Sequence, residues 1–402
     1  MMEFIKCVID KKVCRDCNFC TTTNICHSPN ECVGCMSCYW ACPYEARKII
    51  YLEEERPRVR IRVNGIEYEV PKGITILRAL ELIGYRVTRF PEKDSISAPC
   101  RTGGCWSCAV LIDGELERSC ITPVRDGMSI RTDVDGREPL RIVHGPEPHS
   151  VGGKATPWYE KGYRYVEVAI WVAGCNLRCP QCQNYHVTYD NTTAPMTPLE
   201  AARILTYYRK YFKVKGIAIS GGEPTINRRW LVEYFKYLRE MNKEKDTRLH
   251  LDSNGTVLKP DYIDELVNAG CNNIGVEPKG IRVETFMKIT GIKNRDLAEE
   301  YLNTSWNAIK YIRDKYIEEV YLGVGIPYNS AFMTLDEIRE IGERIADIDE
   351  SIQVCVLDYF PIFRRRDIKR PSPSQMLEVK KILNEVGLKF VIVQTSLGHI
   401  GP

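Results

Sequence analysis

The stretch that decides the fold is Cys175-Asn-Leu-Arg-Cys179-Pro-Gln-Cys182, which follows an apolar run at residues 166–172. That run predicts a buried strand, so the three cysteines lie in a loop at its carboxyl end. Structural zinc normally takes four protein ligands, whereas a four-iron cluster held by three thiolates keeps one iron open for a small molecule. The Cys-x3-Cys-x2-Cys spacing therefore favours a [4Fe-4S] cluster, with a zinc site as the alternative.

From residue 163 to the end, strand and helix patterns alternate, which is typical of βα units on a parallel sheet. Further strands are predicted at residues 216–222, 249–255, 271–277, 319–327, 351–359 and 389–394, and helices, for example, at 198–212 and 335–348. Six or seven strands in about 240 residues are too few for an eightfold barrel. The fold class is therefore α/β, with an open, partial (β/α)6-type barrel.

Polar side chains stand where two of these strands end. Asp252, Ser253 and Asn254 close the strand at 249–255, and Glu277 and Lys279 close the one at 271–277. Polar residues at the carboxyl ends of buried parallel strands usually point into a site. Each taken singly is equally well a turn or helix-capping residue, but their recurrence at consecutive strand ends favours a site.

The cysteine loop together with Gly221-Gly222-Glu223-Pro224 resembles the radical S-adenosylmethionine (radical SAM) superfamily. The resemblance implies that Cys175, Cys179 and Cys182 hold a [4Fe-4S] cluster and that SAM chelates the open iron. It also implies that the Gly-Gly-Glu turn holds the amino group of SAM. Two glycines let the backbone approach closely, and Glu223 supplies an acceptor for an ammonium group.

The strand ends resemble one branch of that superfamily, the activases of glycyl radical enzymes. Asp252-Ser-Asn-Gly is similar to their Asp-Thr-Asn-Gly element, and Glu277-Pro-Lys279 takes the place of their Asp-Leu-Lys. The resemblance implies that Asp252 and Glu277 help to bind a monovalent cation beside SAM. It places Asn254 and Lys279 near SAM.

Three features depart from that branch. The residue before the third cysteine is Gln181, where an aromatic side chain usually contacts adenine, and Phe360-Pro361 stands where relatives often have His-Pro. The additional cysteine groups precede the barrel, whereas activases with extra clusters usually insert them after the cysteine motif. The first two departures put the adenine and SAM contacts at those positions in question. The third makes activation of a glycyl radical enzyme less secure.

Cysteine is the unusual component of this chain. It has 18 cysteines, and all except Cys271 and Cys355 fall into three tight groups. Disulfide frameworks spread cysteines along small secreted folds, whereas clustering at two- to five-residue spacing indicates metal ligands. This usage predicts iron-sulfur clusters in a reducing cytosol, such as that of an anaerobe, with Cys271 and Cys355 as core residues.

The first 55 residues contain two cysteine runs of the bacterial ferredoxin type. The second run, Cys32, Cys35, Cys38 and Cys42 followed by proline, predicts a [4Fe-4S] cluster, and the looser first run is Cys14, Cys17, Cys20 and Cys26. If both runs bind clusters, the two-cluster ferredoxin pattern assigns Cys14, Cys17, Cys20 and Cys42 to one and Cys32, Cys35, Cys38 and Cys26 to the other. One cluster or two remain open, as does a zinc site at the first run. Cys7 has no assigned role.

Residues 56–135 predict a domain with a [2Fe-2S] cluster. Alternating strands flank a hairpin turn at Asn64-Gly65, and Thr75 can cap a helix. The plant-type cluster spacing follows, with a further hairpin turn at Asp113-Gly114 before its last cysteine. The four predicted ligands are Cys100, Cys105, Cys108 and Cys120. Gly103 and Gly104 allow the loop to wrap closely round the cluster. The segment resembles the β-grasp ferredoxin modules of some hydrogenase and dehydrogenase subunits, with structural zinc as the alternative.

The domain organisation follows from these motifs. We predict a [4Fe-4S] ferredoxin-like domain at 1–55, the [2Fe-2S] domain at 56–135, a linker at 136–162 and the barrel at 163–402. Within the Pro- and Gly-rich linker, His144 and His149 read as exposed residues, with metal binding as the alternative. The basic segment at residues 364–370 is expected to be a solvated loop, or else a site for an acidic group.

The bulk properties exclude several function classes. Lys and Arg number 56 against 53 for Asp and Glu, a formal charge of +3. Such a balance indicates no nucleic-acid or membrane partner. No run reaches the length of a transmembrane helix, and no signal-peptide pattern opens the chain, so a cytoplasmic location is expected.

The leading hypothesis is a radical SAM oxidoreductase with its electron supply on the same chain. SAM cleavage would need an external low-potential electron donor, and the resemblance implies a 5′-deoxyadenosyl radical that abstracts hydrogen from a protein or a small molecule. The alternative is an iron-sulfur electron-transfer subunit of a larger redox complex that does not turn over SAM.

Overall fold

A computed structural model describes residues 2–24, 32–92, 95–160 and 164–402. It contains a two-stranded sheet, a five-stranded sheet and a ten-stranded sheet in chain order, with one further short strand pair. Within the described ranges, no helix is long and apolar enough to cross a membrane.

The first module is an antiparallel ribbon that encloses the first group of cysteines. Its strands pair over eight residues, from Met2 opposite Glu54 to Ile9 opposite Arg47. The ribbon thereby holds the two ends of the module together, and it places Cys7 on a strand beside the cysteine runs. Its elements are β1 (Met2–Ile9), α1 (Phe19–Thr22), α2 (Ser37–Ala41) and β2 (Arg47–Glu54).

The second module has a β-grasp arrangement. The predicted hairpins at Asn64-Gly65 and Asp113-Gly114 are confirmed. So is the helix cap, because the Thr75 side chain accepts the N–H of Arg78. The elements are β3 (Arg58–Val63), β4 (Ile66–Pro71), α3 (Ile76–Leu82), β5 (Val87–Thr88), β6 (Ile96–Ser97), β7 (Ala109–Ile112), β8 (Glu115–Arg118) and β9 (Met128–Arg131). The sheet order is β4-β3-β9-β7-β8, with β3 and β9 parallel.

The third module is built on the ten-stranded sheet. Its strands are β10 (Arg141–His149), β11 (Glu167–Val172), β12 (Pro195–Met196), β13 (Gly216–Gly221), β14 (Arg248–Ser253), β15 (Asn273–Val276), β16 (Tyr321–Tyr328), β17 (Gln353–Asp358), β18 (Val391–Thr395) and β19 (Gly398–Ile400). Among the described residues β11 and β13 to β18 are parallel neighbours, seven strands in all. The predicted α/β class is confirmed, with one more parallel strand than a sixfold barrel has.

Helices connect the parallel strands. They are α4 (Tyr185–Thr188), α5 (Pro198–Phe212), α6 (Arg228–Met241), α7 (Pro260–Asn268), α8 (Val283–Thr290), α9 (Arg295–Tyr316), α10 (Leu335–Asp349) and α11 (Pro373–Glu385). The helix predicted at 198–212 is confirmed to the residue, and the one at 335–348 is one residue longer. Their apolar faces and the strands form one large core.

The segment predicted as a linker is part of the barrel instead. Residues Arg141–His149 form β10, which pairs antiparallel with β11 and extends the sheet at its edge. Apolar residues at 142 and 143 explain the difference, because both are buried against the barrel. Proline and histidine composition suggested a linker but carried no information about this pairing.

The residues after β10 show how the sheet curves. Thr156 donates to Glu167 on β11, Ala155 accepts from Asn273 on β15, and Gln353 on β17 donates to the carbonyl of Lys154. Neighbouring strands lie about 4.8 Å apart, so a flat sheet could not bring strands this far apart to three consecutive residues. The sheet is therefore concave, and residues 153–156 fill its interior near the amino ends of the strands.

Candidate active site and cluster sites

The predicted cysteine loop begins at Cys175, three residues after the end of β11, and is half-buried. Backbone bonds tie it to the Gly-Gly-Glu turn after β13. The N–H of Gly222 donates to the carbonyl of Val172, and the N–H of Glu223 donates to that of Gly174, both at 2.8 Å. The structure therefore brings the two sequence motifs together as the parallel pairing of β11 and β13 requires.

Gly221 and Gly222 are needed by the chain's own backbone. A Cβ on Gly221 would lie 2.7 Å from the carbonyl oxygen of Val172, and one on Gly222 would overlap the carbonyl of Gly174. Gly221 also has φ of +121°, a conformation that side chains disfavour. The glycine pair thus permits the contact between the turn and the cysteine loop.

The Glu223 carboxylate joins this turn to the end of β14. It accepts hydrogen bonds from the backbone and side chain of Thr225, from the Ser253 hydroxyl at 2.8 Å and from the backbone N–H of Asn254 at 2.7 Å. The residue is 1% exposed. Three of these bonds converge on Oε1 and one on Oε2, so Oε2 keeps acceptor capacity beside the position of Asn254.

Asn254 continues the network to the cysteines. Its amide group donates to the side chain of Asn176 at 3.2 Å and lies 3.9 Å from the Cys175 sulfur. Its own oxygen accepts from Thr256. Ser253 and Asn254, which the sequence singled out at a strand end, are therefore connected through Glu223 and Asn176 to the first cysteine.

A second charged group lies deeper in the barrel. Glu277 contacts the Lys279 ammonium and accepts from the Tyr359 hydroxyl at 3.0 Å. Lys154 stands between the two carboxylates, 3.6 Å from Asp252 Oδ1 and 3.5 Å from Glu277 Oε2. Sequence reasoning did not identify Lys154, because this residue lies in the segment predicted as a linker. The signal that could have indicated it is that two carboxylates buried in the barrel need a positive charge beside them.

Charge compensation explains the pKa shifts in this group. Burial raises the pKa of Asp252 and Glu277, but the neighbouring cations outweigh it and leave both pKa values below the usual range. Burial lowers the pKa of Lys154 and Lys279, and the carboxylates outweigh this in turn, so both pKa values are raised. All four side chains therefore carry their charges inside the barrel.

The three thiols of the loop have environments that oppose ionisation. Burial is the main reason that the pKa of Cys175 and Cys179 is raised to about 12 and that of Cys182 to about 11. A buried thiolate needs positive charge beside it. Three convergent thiols of this kind fit a cluster whose irons supply that charge.

The four predicted [2Fe-2S] ligands come together in the second module. Cys100, Cys105, Cys108 and Cys120 are all buried. The Cys100 thiol lies within hydrogen-bonding distance of those of Cys105 and Cys120, and the Cys108 thiol contacts that of Cys120. The N–H of Thr102 donates to the Cys100 sulfur, the type of contact that tunes a cluster. This donor set fits the predicted cluster.

The [2Fe-2S] loop packs directly on the cysteine loop of the barrel. A Cβ on Gly174, which precedes Cys175, would lie 2.7 Å from both N and Cβ of Cys105. The Arg178 guanidinium donates to the carbonyls of Cys175 and Cys100 and lies 5.0 Å over the ring of Trp40 in the first module. One residue of the barrel loop thus contacts both other modules.

The first module is docked through Arg364. Its guanidinium donates to the carbonyls of Tyr39, Trp40 and Cys42, and its backbone N–H donates to the carbonyl of Pro180 between the barrel cysteines. Arg366 contacts Tyr44. The basic segment expected to be a solvated loop therefore holds two modules together.

Other expectations in this region have mixed outcomes. Gln181 is buried and donates to the carbonyl of Ile289. The linker histidines are half-buried rather than exposed: His144 lies 2.9 Å from Asp190, and His149 packs on Trp171. Cys26, predicted as a cluster ligand, lies outside the described residues. Among the described residues, no three His, Cys, Asp or Glu side chains are arranged to hold a single metal ion.

Comparison with known families agrees with the three modules. Residues 170–341 match the radical SAM superfamily, residues 56–135 match a 2Fe-2S iron-sulfur cluster binding domain, and residues 25–48 match a 4Fe-4S binding domain. These matches confirm the resemblances that the cysteine motifs indicated, to the radical SAM superfamily and to 2Fe-2S and 4Fe-4S ferredoxin domains.

Individual relatives match parts of the chain. A Methanocaldococcus jannaschii protein, provisionally named a glycyl-radical enzyme activating enzyme, is 26% identical over 58% of this chain and 90% of its own length. A probable GTP 3′,8-cyclase of Methanococcus aeolicus is 32% identical over 29% of this chain and 38% of its own length. The crystal structure of Streptococcus suis SuiB aligns with a TM-score of 0.42 and 15% identity, over 55% of this chain and 46% of SuiB.

Proposed function

Residues 170–341 belong to the radical SAM superfamily, and from this premise we propose that the protein is an oxidoreductase that reductively cleaves SAM and abstracts hydrogen from a substrate. We propose further that its ferredoxin modules deliver the electron from an external low-potential donor. The observation that carries the proposal is the backbone contact between Gly174 and Cys105, which joins the barrel cysteine loop to the [2Fe-2S] loop.

The side chains have distinct roles in this proposal. Cys175, Cys179 and Cys182 would hold the [4Fe-4S] cluster, which, when bound with SAM, supplies a 5′-deoxyadenosyl radical. The turn at Gly221 and Gly222, held by Glu223 against β14, would receive the amino group of SAM at backbone carbonyls and at Oε2 of Glu223. Burial of these groups excludes water from a reactive species.

The proposal also concerns the class of substrate from which hydrogen is abstracted. The M. jannaschii relative, named provisionally for the activation of a glycyl radical enzyme, matches over 90% of its own length. This supports a polypeptide target, with hydrogen removed from a backbone carbon. A small-molecule target uses the same chemistry and is the second possibility to be screened.

The test measures 5′-deoxyadenosine. The full chain would be purified without oxygen, reconstituted with iron and sulfide, and incubated with SAM and dithionite. We expect 5′-deoxyadenosine from the wild type and from Cys271→Ala, which changes a buried cysteine outside the loop, and none from Cys175→Ala. If the fully reconstituted wild type makes none, the proposal is wrong, and an electron-transfer subunit becomes the better interpretation.

A further inference from the structure

Cys7 lies among the second run of cysteines, although the sequence pattern gives it no role. It is on β1 and 4% exposed. Its backbone N–H donates to the Cys32 sulfur at 3.3 Å, and its thiol lies within hydrogen-bonding distance of the thiols of Cys32 and Cys38. Cys35 is close enough to interact with it electrostatically.

The local backbone is built for this approach. Gly34, between Cys32 and Cys35, has φ of +71°, and a Cβ there would lie 2.7 Å from the carbonyl oxygen of Ile5. The loop of the second run therefore rests against β1 two residues before Cys7. The pairing of β1 with β2, in which Cys7 is opposite Ile49, fixes the strand in that position.

We propose that Cys7 is the fourth ligand of the [4Fe-4S] cluster held by Cys32, Cys35 and Cys38. This assignment replaces Cys26 and places the ligand on the strand before both cysteine runs. The first run, Cys14, Cys17 and Cys20, keeps Cys42 as its available partner.

The test counts iron and uses electron paramagnetic resonance of the reconstituted, reduced full chain. We expect Cys7→Ala to lose roughly four irons, the content of one [4Fe-4S] cluster. Cys26→Ala and Cys271→Ala should keep the wild-type content. The [2Fe-2S] signal, from a separate module, reports that the second module of each variant is intact.

A second variant, Cys7→Ser, tests the assignment even if Cys7→Ala folds poorly. In Cys7→Ser an oxygen ligand replaces sulfur, and we expect the signal of one [4Fe-4S] cluster to change while the others stay the same. Loss of iron in Cys26→Ala with full iron in Cys7→Ala would overturn the assignment, as would an unchanged spectrum in Cys7→Ser.

A different observation carries a second inference, inside the barrel. The Lys154 ammonium is within 3.6 Å of two carboxylates, Asp252 on β14 and Glu277 directly after β15. With Lys279, and with His250 paired to both Asp252 and Glu167, the group holds three negative and three positive charges. Removal of Lys154 would leave one uncompensated negative charge in a buried site, which is unfavourable unless another cation enters.

Glycines on the neighbouring strands make room for this lysine. A Cβ on Gly325 of β16 would lie 2.6 Å from Cδ and 2.8 Å from Cε of Lys154, and one on Gly275 of β15 would lie 2.9 Å from its Cβ. The lysine backbone is fixed by Gln353, whose amide group donates to the carbonyls of both Lys154 and Thr156. The side chain is therefore directed along the barrel interior to the carboxylates.

We infer that Lys154 is a tethered cation, a positioning residue that occupies the place between Asp252 and Glu277 and makes the site independent of free monovalent ions. This inference rests on the proposed function in one respect, since SAM affinity is one of its two readouts. The other readout is thermal stability, which needs no SAM.

The experiment exchanges potassium for tetramethylammonium at constant ionic strength. We expect the wild type to keep its SAM dissociation constant and its apparent Tm. Lys154→Ala should bind SAM about tenfold or more weakly in tetramethylammonium, and potassium or sodium should restore the affinity and raise the Tm. Lys215→Ala, which removes a lysine of an exposed ion pair, is the matched control and should show no cation response.

The variant Gly325→Ala keeps Lys154 but displaces the aliphatic part of its side chain. Its SAM affinity and Tm should therefore depend on potassium or sodium, as those of Lys154→Ala do. A wild type whose Tm and SAM affinity require potassium would overturn the inference. So would a folded Lys154→Ala protein whose Tm ignores both cations. Absence of SAM binding in every variant would count against the proposed function, while the Tm comparison would still decide the role of Lys154.

Discussion

Gly174 has no side chain, and for that reason the barrel cysteine loop and the [2Fe-2S] loop can touch. Its φ is +84°, and its position against Cys105 leaves no room for a methyl group. Gly221 and Gly222 make the next contact in the same way. At the scale of single residues, three glycines bring the two cysteine loops and the Gly-Gly-Glu turn into one unit.

The first prediction concerns Gly174→Ala. The substitution adds left-handed strain, typically about 1–3 kcal/mol, and an overlap with Cys105. Gly65→Ala is the matched control, because Gly65 has φ of +87° but nothing within 4 Å of its missing Cβ. We expect Gly174→Ala to lower the apparent Tm more than the control and to slow 5′-deoxyadenosine formation, whereas Gly65→Ala leaves the rate unchanged. Equal effects on Tm would show that the close contact is unimportant.

At the scale of elements, local sequence determines where the helices start. Thr197 and Glu200 form a reciprocal capping box at the start of α5, with Pro198 at the first helical position. Ser372 and Gln375 do the same for α11, where Pro373 takes the equivalent place. Such caps depend on residues three apart in sequence, which is why the start of α5 could be predicted.

The second prediction removes one of these caps. Thr197→Ala loses the side-chain acceptor for the N–H of Glu200, and we expect a loss of about 1 kcal/mol in the free energy of unfolding, seen as a lower denaturant midpoint. Thr304→Ala, at a half-buried position in the middle of α9, makes the same change without a cap. The control should be neutral or slightly stabilising, and a matching loss there would contradict the capping explanation.

The third prediction is the pH dependence of the side-chain contact between Glu167 on β11 and His250 on β14. Burial lowers the pKa of His250, but Asp252 and Glu167 outweigh it and raise the pKa from 6.5 to about 9. The protonated histidine therefore stabilises the fold fully below pH 6.5, and this contribution, about 3 kcal/mol at 1.36 kcal/mol per pH unit, is lost as the pH rises through 9.

Apparent Tm measured from pH 6 to pH 10 tests this linkage. We expect a decline between pH 6.5 and pH 9 that His250→Gln largely removes, because the glutamine does not titrate. His186→Gln is the control, since burial lowers the pKa of His186 and places its titration on the acid side. An alkaline decline of the same size in His250→Gln would assign it to other groups.

At the scale of the whole molecule, the three modules meet around the barrel cysteines. Besides Arg178 and Arg364, a buried polar group joins them: Asn191 of the barrel donates to Asn24 and Ser37 of the first module and to the carbonyl of Thr102 in the second. Buried polar networks of this kind specify one arrangement of the parts. The modules are therefore docked in a defined way.

The fourth prediction tests this docking with Arg364→Ala. The variant loses three hydrogen bonds to carbonyls of the first module, and we expect faster hydrogen exchange and easier proteolysis near residues 39–42, with the [2Fe-2S] module unchanged. Arg365→Ala removes an exposed pair with Asp367 and serves as the control. Unchanged exchange in Arg364→Ala would mean that the other contacts suffice for docking.

The sequence by itself determined the α/β class, the cluster motifs, the hairpins and several helix boundaries, because each of these depends on residues close together in the chain. Cysteine spacing, turn residues and caps are local signals. Only the tertiary structure decided that Cys7 lies beside Cys32, that Lys154 compensates Asp252 and Glu277, and that Arg364 holds two modules. These contacts join residues from 25 to 325 positions apart, and they arise from sheet register and burial, which no local pattern encodes.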